Sequence, residues 1–481
     1  MHAKLRSHLD PLTVQTRMKT QTHHNQTFRS IPTHSKPLDT TRLEKLFQQQ
    51  LDFYKSNLKS SSDEYLTALK TIPLGAHSTF QSFDPYPISI KSAKGAWMVD
   101  VDGRKMLDLS MGFGSMLVGH LNPLVMAELK ATLDIGTLYT APSPDSRDAA
   151  ERLCRRFGID QIRFTNSGTE STMYAVRTAR AYTGKEGVVK VEGGYHGSGD
   201  ALMVSTKPSL DKAGPEDAPN SVIGNASVPG LSYVVPYNNA EALERVFEKH
   251  SATIACFIVE PVLENIGIVL PDEGYLEKVR ELCDEYKIVL IFDEVKTGLT
   301  AGPQGAAQRL GVIPDLICLA KSIGGGIPLA AFGGKTEFMK PVTDGRMPHL
   351  GTFNGHILAM AAVRAVDKLC TPEALEKAES LNIQALTRIR EIIDEYELPA
   401  HTVGFGVKGC ITWSTEPVRN YRDYKATDFD IAFAQWIHGI NRGIMLPPGL
   451  DEQWLISVVH TEEEALRYAS IFGEFVDELT A

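Results

Sequence analysis

Three short apolar runs in the middle of the chain each end in an ionisable side chain. Runs of this length and continuity are typical of strands buried on both faces of a parallel sheet. In open α/β sheets, ligands bind beyond the carboxyl ends of the strands, so the pattern predicts one shared site. A lysine at a strand end can instead extend its amine to water. For the run that ends in a lysine, considered without the other two runs, that alternative stays open. The side chains that follow the three runs are Glu260, Asp293 and Lys321.

The wider pattern predicts an α/β fold with two structural units. Over residues 106–355, helical periodicity alternates with strand-like runs, which indicates a large domain with a mainly parallel sheet covered by helices. Over residues 356–481, helices and short strands mix, which predicts a smaller α+β domain. Residues 38–105 begin with a helical pattern after Asp39 and continue into short strands, and we expect this segment to join the small domain. Residues 1–37 are polar and nearly free of acids, which favours a disordered tail or a targeting segment.

Composition narrows the classes of function. The chain has 49 Lys plus Arg against 59 Asp plus Glu, a net charge of −10, which argues against nucleic-acid or anionic-membrane partners. No apolar stretch approaches the roughly 20 residues of a membrane span. The 6 cysteines are scattered without metal-binding spacing, so neither a metal site nor a disulfide framework is predicted. We therefore expect small-molecule partners and a cytoplasmic location, with organelle targeting by the N-terminal tail left open.

Two further segments add candidate binding groups. Residues 162–165 form a strand-like run that leads through Ser167-Gly168-Thr169 into a helical pattern. A helix N-terminus after a strand can bind an anion such as phosphate, although Ser and Thr are also ordinary N-caps. Farther along, Tyr195 and His196 stand between glycines after another strand-like run. This pattern indicates an aromatic ring presented to a flat ligand.

One ligand, pyridoxal 5′-phosphate (PLP), accounts for all of these groups. It requires a lysine for a Schiff base, a carboxylate to keep its ring nitrogen protonated, an anion site and a ring-stacking side chain. Lys321, Asp293, the Ser167-Gly168-Thr169 turn and Tyr195 can supply these four functions.

The chain also resembles a known family, the class III (fold type I) PLP-dependent aminotransferases, and within it glutamate-1-semialdehyde 2,1-aminomutase and its transaminase relatives. The resemblance runs from about Ile72 to the C-terminus. It implies a fold type I architecture, an acid near the cofactor at Glu260, and a homodimer in which Thr352 reaches the cofactor phosphate of the neighbouring subunit. The matching segments are Asn166-Ser167-Gly168-Thr169-Glu170, Gly194-Tyr195-His196-Gly197, Val259-Glu260-Pro261-Val262, Phe292-Asp293-Glu294-Val295 with Thr297-Gly298, and Pro314 to Gly326.

The substrate side departs from the aminomutase pattern. Ser78 matches a family serine, but Gln81 stands where the family has an arginine that serves the substrate carboxylate. Gln cannot make the charge-assisted, bidentate contact that Arg makes, although Gln81 could also be an ordinary solvated residue. Phe113 replaces a family tryptophan, and Glu452 corresponds to an acid that faces the amino end of the substrate.

These features together predict a PLP-dependent aminotransferase that moves an amino group between an amine or amino acid and a keto or aldehyde acceptor. Its alternative is intramolecular transfer of the aminomutase type. A non-catalytic pyridoxal-binding module is a more remote alternative, because the sequence shows no DNA-binding extension and its charge is acidic.

Overall fold

A computed structural model describes residues 27–30, 35–223, 232–447 and 453–481. Two helices and two consecutive hairpins dominate its N-terminal part. The side chain of Asp39 caps the first helix, as the sequence predicts. The hairpin turn at residues 100–103 joins β3 to β4. The elements are β1 (Thr27–Ser30), α1 (Thr40–Asn57), α2 (Lys59–Ala68), β2 (Ile90–Lys94), β3 (Trp97–Asp100) and β4 (Lys105–Asp108).

The large unit is built on a 7-stranded sheet. Its strands are β5 (Gln161–Thr165), β6 (Gly187–Val191), β7 (Ser232–Val235), β8 (Ile254–Val259), β9 (Val289–Asp293), β10 (Leu316–Ala320) and β11 (Ala330–Gly334). They lie in the order β5-β11-β10-β9-β8-β6-β7, and β11 alone runs antiparallel to its neighbours. The predicted mainly parallel sheet is therefore confirmed.

Helices cover this sheet and bury its central strands completely. Every residue of β8, β9 and β10 is buried, which explains why these strands are apolar without alternation. The helices of this part are α3 (Pro123–Leu133), α4 (Pro144–Phe157), α5 (Gly168–Thr183), α6 (Leu210–Ala213), α7 (Ala240–His250), α8 (Tyr275–Tyr286), α9 (Gly298–Ala301), α10 (Gly305–Leu310), α11 (Thr336–Thr343) and α12 (Ile357–Leu369).

The smaller unit combines the two ends of the chain. Its C-terminal elements are α13 (Pro372–Glu395), β12 (His401–Phe405), β13 (Lys408–Thr412), α14 (Tyr421–Lys425), α15 (Phe429–Asn441), β14 (Ile444–Met445), β15 (Trp454–Leu455) and α16 (Glu462–Thr480). One sheet has the order β14-β4-β3-β2, so the N-terminal hairpins pair with a C-terminal strand. Helix α1 packs against α15 and α16, and Tyr54, Ile437 and Phe475 belong to one core.

Two segments differ from the predicted boundaries. Helix α12 begins the segment assigned to the small unit, yet its Met360 and Val363 pack in one core with Val125 of α3 and Leu153 of α4. Strand β1 lies within the segment expected to be a tail, and it pairs antiparallel with β12. Periodicity shows which face of an element is apolar, but it does not show which partner covers that face.

In the described ranges, no helix is both long and apolar enough to cross a membrane.

Candidate active site

A cavity of about 170 Å³ lies at the carboxyl ends of β8, β9 and β10, where α5 begins. It brings together the predicted catalytic and cofactor-binding residues, with the exception of Thr352. From the predicted set, the lining residues are Ser167, Gly168, Thr169, Tyr195, His196, Glu260, Asp293 and Lys321. The residues that complete the lining are Thr172, Gly197, Asn265, Val295, Lys296 and Ala320.

The N-terminus of α5 forms one wall of the cavity. Ser167 is the N-cap, and its hydroxyl accepts a hydrogen bond from the backbone N–H of Glu170 at 3.3 Å, so the ordinary capping function is also present. A Cβ on Gly168 would come within 3.0 Å of Val295, and a Cβ on Gly197, whose φ is +81°, within 2.6 Å of the Thr169 Cα. At both positions, glycine allows neighbouring parts of the cavity wall to pack closely. Helix N–H groups and the helix dipole favour an anion here, so this wall fits the phosphate of PLP.

Asp293 and His196 form a buried pair at the end of β9. The Nδ1–H of His196 donates to Oδ2 of Asp293 at 2.8 Å, and the backbone N–H of Val295 donates to Oδ1 at 3.0 Å. Asp293 is 4% exposed and His196 is 1% exposed. The Nε2 atom of His196 is buried and has no hydrogen-bond partner among the described residues. A carboxylate held from both sides in this way has a fixed orientation, which suits a partner for a protonated ring nitrogen.

Glu260 connects the cavity to the loop that carries Tyr195. Its Oε1 accepts from the backbone N–H of Tyr195 at 3.3 Å. Its Oε2 accepts from the backbone N–H of Glu264 at 3.0 Å and from the side-chain amide of Asn265 at 2.8 Å. Burial raises the pKa of the Glu260 carboxyl. The geometry shows an anchor for two loops of the site.

Lys321 follows β10 directly and lines the cavity. Its φ of 46° lies in the left-handed region, which costs a non-glycine residue on the order of 1 kcal/mol. The glycines after it are needed for close packing: Gly326 has a φ of +92°, and a Cβ there would come within 2.6 Å of the Met116 sulfur. Backbone strain of this kind concentrates at functional sites.

Three of the predicted substrate residues, Ser78, Gln81 and Phe113, are described by the structure and do not line the cavity. Ser78 is half-buried, and Gln81 is exposed at the end of the short 3₁₀ helix Thr79–Gln81. Within that helix, Phe80 packs edge-on against Phe113 with ring centroids 5.0 Å apart. Phe113 reaches the site through Lys296, whose Nζ lies 5.9 Å from the Phe113 ring centroid.

Thr352 is exposed on its own chain and is absent from the cavity lining. The predicted substrate residue Glu452 lies outside the described residues.

The structure also reveals buried ionic groups that the sequence analysis missed. Lys190, the fourth of the five residues of β6, donates to the carbonyls of Gly194, Leu202 and Val204 at 2.7, 3.0 and 2.7 Å. Burial lowers its pKa to about 7. The sequence signal for this buried group is a lysine inside an apolar run.

Lys408 of β13 forms an ion pair with Glu264 at 2.6 Å, and 144 positions separate the two residues, so no local pattern indicated it. Lys296 directly follows the Asp293-Glu294-Val295 motif, and this adjacency is the sequence signal for it.

Comparison with known proteins agrees with the geometry of the site. The model of the family "Aminotransferase class-III" matches residues 80–426. The glutamate-1-semialdehyde 2,1-aminomutase of Methanocorpusculum labreanum is 38% identical over 419 residues, which cover 85% of this chain and 99% of that protein.

Two solved structures have the same fold. A glutamate-1-semialdehyde aminomutase from Pseudomonas aeruginosa PAO1, in complex with PMP, superposes with a TM-score of 0.85 at 27% identity and covers 92% of this chain and 99% of its own. An omega-transaminase from Sphaerobacter thermophilus superposes with a TM-score of 0.84 at 30% identity and covers 89% of this chain and 99% of its own.

Proposed function

Since the chain belongs to the class-III aminotransferases, a family of PLP-dependent enzymes, we propose that it transfers an amino group between an amine or amino acid donor and a separate keto or aldehyde acceptor. In this proposal, Lys321 is the residue that binds the cofactor aldehyde. The observation that carries this proposal is the single cavity in which Lys321, the Asp293–His196 pair and the N-terminus of α5 meet. These groups match the three chemically distinct parts of PLP.

PLP, when bound, supplies an aldehyde for the amino group and an electron-withdrawing ring. The residues of the chain supply its position and its protonation state. The N-terminus of α5 would hold the phosphate through its backbone N–H groups. Asp293 would keep the proton on the ring nitrogen, and the His196 Nδ1–H fixes the orientation of that carboxylate.

Lys321 would also move protons at the reacting carbon, since an amine at a strand end can act as a general base when it is neutral. Glu260 keeps the Tyr195 backbone in place, so that the Tyr195 ring, which is 39% exposed, can cover the cofactor.

The position of Gln81 favours amino transfer between two substrates over intramolecular amino transfer. An aminomutase must retain one intermediate through both halves of its reaction, whereas a transaminase must release a keto product. Gln81 carries no charge, is exposed and does not line the cavity, so it does not supply the grip on a carboxylate that retention requires. The second candidate is an aminomutase, because a protein of that name is 38% identical to this chain.

A single-turnover experiment separates the two candidates. The PLP-loaded enzyme is mixed with a panel of amines and amino acids, and its visible spectrum is followed. We expect a suitable donor to leave the enzyme stably in the pyridoxamine 5′-phosphate (PMP) form. An added keto acid should then restore the original spectrum. Efficient conversion of glutamate-1-semialdehyde to 5-aminolevulinate without any added acceptor would instead establish the aminomutase.

A homodimer with shared active sites forms part of the same proposal. Thr352 is exposed and lies between two exposed apolar neighbours, with Leu350 at 76% and Phe353 at 56% exposure. Such a segment is suited to burial against a second subunit. Dilution should then release the cofactor and dissociate the dimer together, because a shared site links the two equilibria. A fully active monomer on a calibrated sizing column would refute the shared site.

A further inference from the structure

One peptide group in the loop after β6 is held between two buried side chains of opposite charge. The peptide joins Gly194 to Tyr195. Its carbonyl oxygen accepts from the Nζ of Lys190 at 2.7 Å, and its N–H donates to Oε1 of Glu260 at 3.3 Å. Lys190 is 0% exposed and Glu260 is 2% exposed. Because a peptide group is a dipole with its negative end at the oxygen, a cation at the carbonyl and an anion at the N–H favour a single orientation of it.

The ammonium of Lys190 is itself fixed by its surroundings. Besides this peptide, it donates to the carbonyls of Leu202 and Val204 at 3.0 and 2.7 Å, and it has a longer contact of 3.3 Å with the Thr206 hydroxyl. The three N–H groups of an ammonium match the three carbonyls. Burial lowers the pKa of Lys190, and the charge of Glu260 opposes this effect. The two charged side chains therefore interact across the peptide that they hold.

The orientation of this peptide determines where the Tyr195 ring lies. A glycine precedes the tyrosine, and glycine allows a peptide group to rotate more readily than any other residue does. The residue that follows is fixed separately, since the carbonyl of His196 accepts from the Thr172 hydroxyl at 2.6 Å and its ring donates to Asp293 at 2.8 Å. The Tyr195 ring is 39% exposed, and side chains of exposed loops are mobile unless the backbone that carries them is held.

We propose that Lys190 is a positioning residue of the active site, which acts together with Glu260 on the Gly194–Tyr195 peptide and thereby holds the Tyr195 ring in the orientation that stacks on the PLP ring. This inference rests on the proposed function, because it concerns how the same site holds its cofactor. Lys190 is absent from the cavity lining, so it acts through the loop and not by contact with the cofactor. PLP affinity should therefore depend on Lys190 only while the Tyr195 ring is present.

The test is a double-mutant cycle with the affinity for PLP as its readout. Lys190→Met removes the ammonium, Tyr195→Ala removes the ring, and the double variant removes both. Arg280→Met is the control for lost stability, since Arg280 pairs with the buried Asp315 at 3.2 Å at the amino end of β10, whereas the cavity lies at the carboxyl end. Equilibrium dialysis of each full-length holoenzyme against a series of PLP concentrations gives Kd. A pH of about 6.5, below the pKa of about 7, keeps Lys190 mostly protonated.

We expect Tyr195→Ala to weaken PLP binding by about 5- to 100-fold, the range for loss of an aromatic stacking partner. Lys190→Met should weaken binding by about 5- to 10-fold alone, and by less than about twofold in the Tyr195→Ala background. Arg280→Met should change it by less than about twofold. Equal losses from Lys190→Met in both backgrounds, no loss in the unmodified background, or an unchanged affinity in Tyr195→Ala overturns the inference.

These outcomes are independent of turnover. If the cycle gives the expected coupling but no amino donor is ever converted, the inference holds and the proposed function fails. If donors are converted but the effects of the two substitutions on Kd are additive, the inference fails and the proposed function stands.

Hydrogen exchange of the unmodified holoenzyme tests the inference even if Lys190→Met does not fold. Mass spectrometry with fragmentation that resolves single amides follows the N–H of Tyr195. We expect this amide to exchange at least about 100-fold more slowly than an unprotected amide, because it donates to a buried carboxylate in a peptide that is held. In Lys190→Met it should exchange at least about 10-fold faster, and in Arg280→Met at an unchanged rate. Exchange at the unprotected rate in the unmodified protein would show that the peptide is not held, and the inference would be wrong.

Discussion

The buried ion pair between Lys408 and Glu264 provides the sharpest test of how the two units of the protein are held together. Their Nζ and Oε2 atoms are 2.6 Å apart, and the side chains are 3% and 0% exposed. Lys408 lies on β13 of the small unit, and Glu264 lies in the loop after β8 of the large unit. Since the backbone N–H of Glu264 donates to Glu260 at 3.0 Å, the ion pair also helps to hold Glu260 in the cavity lining.

The perturbation is Lys408→Met. The substitution leaves the Glu264 carboxylate buried, and its Oε1 has no hydrogen-bond partner within the described part of the chain. Removing one partner of a buried pair typically costs about 3–5 kcal/mol, because the remaining charge is uncompensated. The carbonyl of Lys296 also loses a donor at 2.7 Å. We therefore expect a loss of unfolding free energy in the upper half of that range.

Urea unfolding, followed by circular dichroism at fixed protein and PLP concentrations, measures the effect. Glu264→Met should be destabilising as well, and the double variant should cost clearly less than the sum of the two single variants, because neither charge is then left alone. Arg388→Met serves as the control, since its pair with Glu391 is about half exposed, at 55% and 54%, and should have little effect. A loss below about 1 kcal/mol for Lys408→Met, or strict additivity in the double variant, would refute the reasoning.

Three shorter predictions concern two residues of the cavity and the buried lysine of β6. Lys321→Ala should remove the visible band of bound PLP and abolish turnover while circular dichroism stays unchanged; a borohydride-reduced cofactor mapped to another lysine contradicts this. Asp293→Asn should lower kcat by about 10²- to 10³-fold, as when a preorganised electrostatic partner is lost, and near-normal kinetics would be the adverse result. Burial lowers the pKa of Lys190 to about 7, whereas an unfolded lysine titrates near 10.4, so the unfolded chain binds more protons between these values. Relative to Lys190→Met, the unfolding free energy should therefore rise with pH between about 7 and 10.4, by up to about 1.4 kcal/mol per pH unit. Parallel pH profiles of the two proteins would show that Lys190 does not titrate in this pH range.

The sequence by itself determined the part of the site that depends on local rules. An apolar run without alternation indicates a strand buried on both faces, and its last residue lies at the carboxyl edge of a parallel sheet. Glu260, Asp293 and Lys321 follow three such runs, and the structure places them in one cavity. The N-cap at Ser167 is a similar case, because capping depends on only a few neighbouring residues.

Only the tertiary structure decided the features that depend on contacts between distant segments. His196 meets Asp293 across 97 positions, and Lys408 meets Glu264 across 144. The antiparallel strand β11 lies between β5 and β10, and β14 joins the N-terminal hairpins. The physical reason is that periodicity and capping are properties of one segment, whereas the partner of a buried charge or of a strand edge is selected by the packing of the whole chain. The same reason accounts for Lys296, because its sequence neighbours show only that a lysine follows a motif, while the fold places this residue in the lining of the cavity.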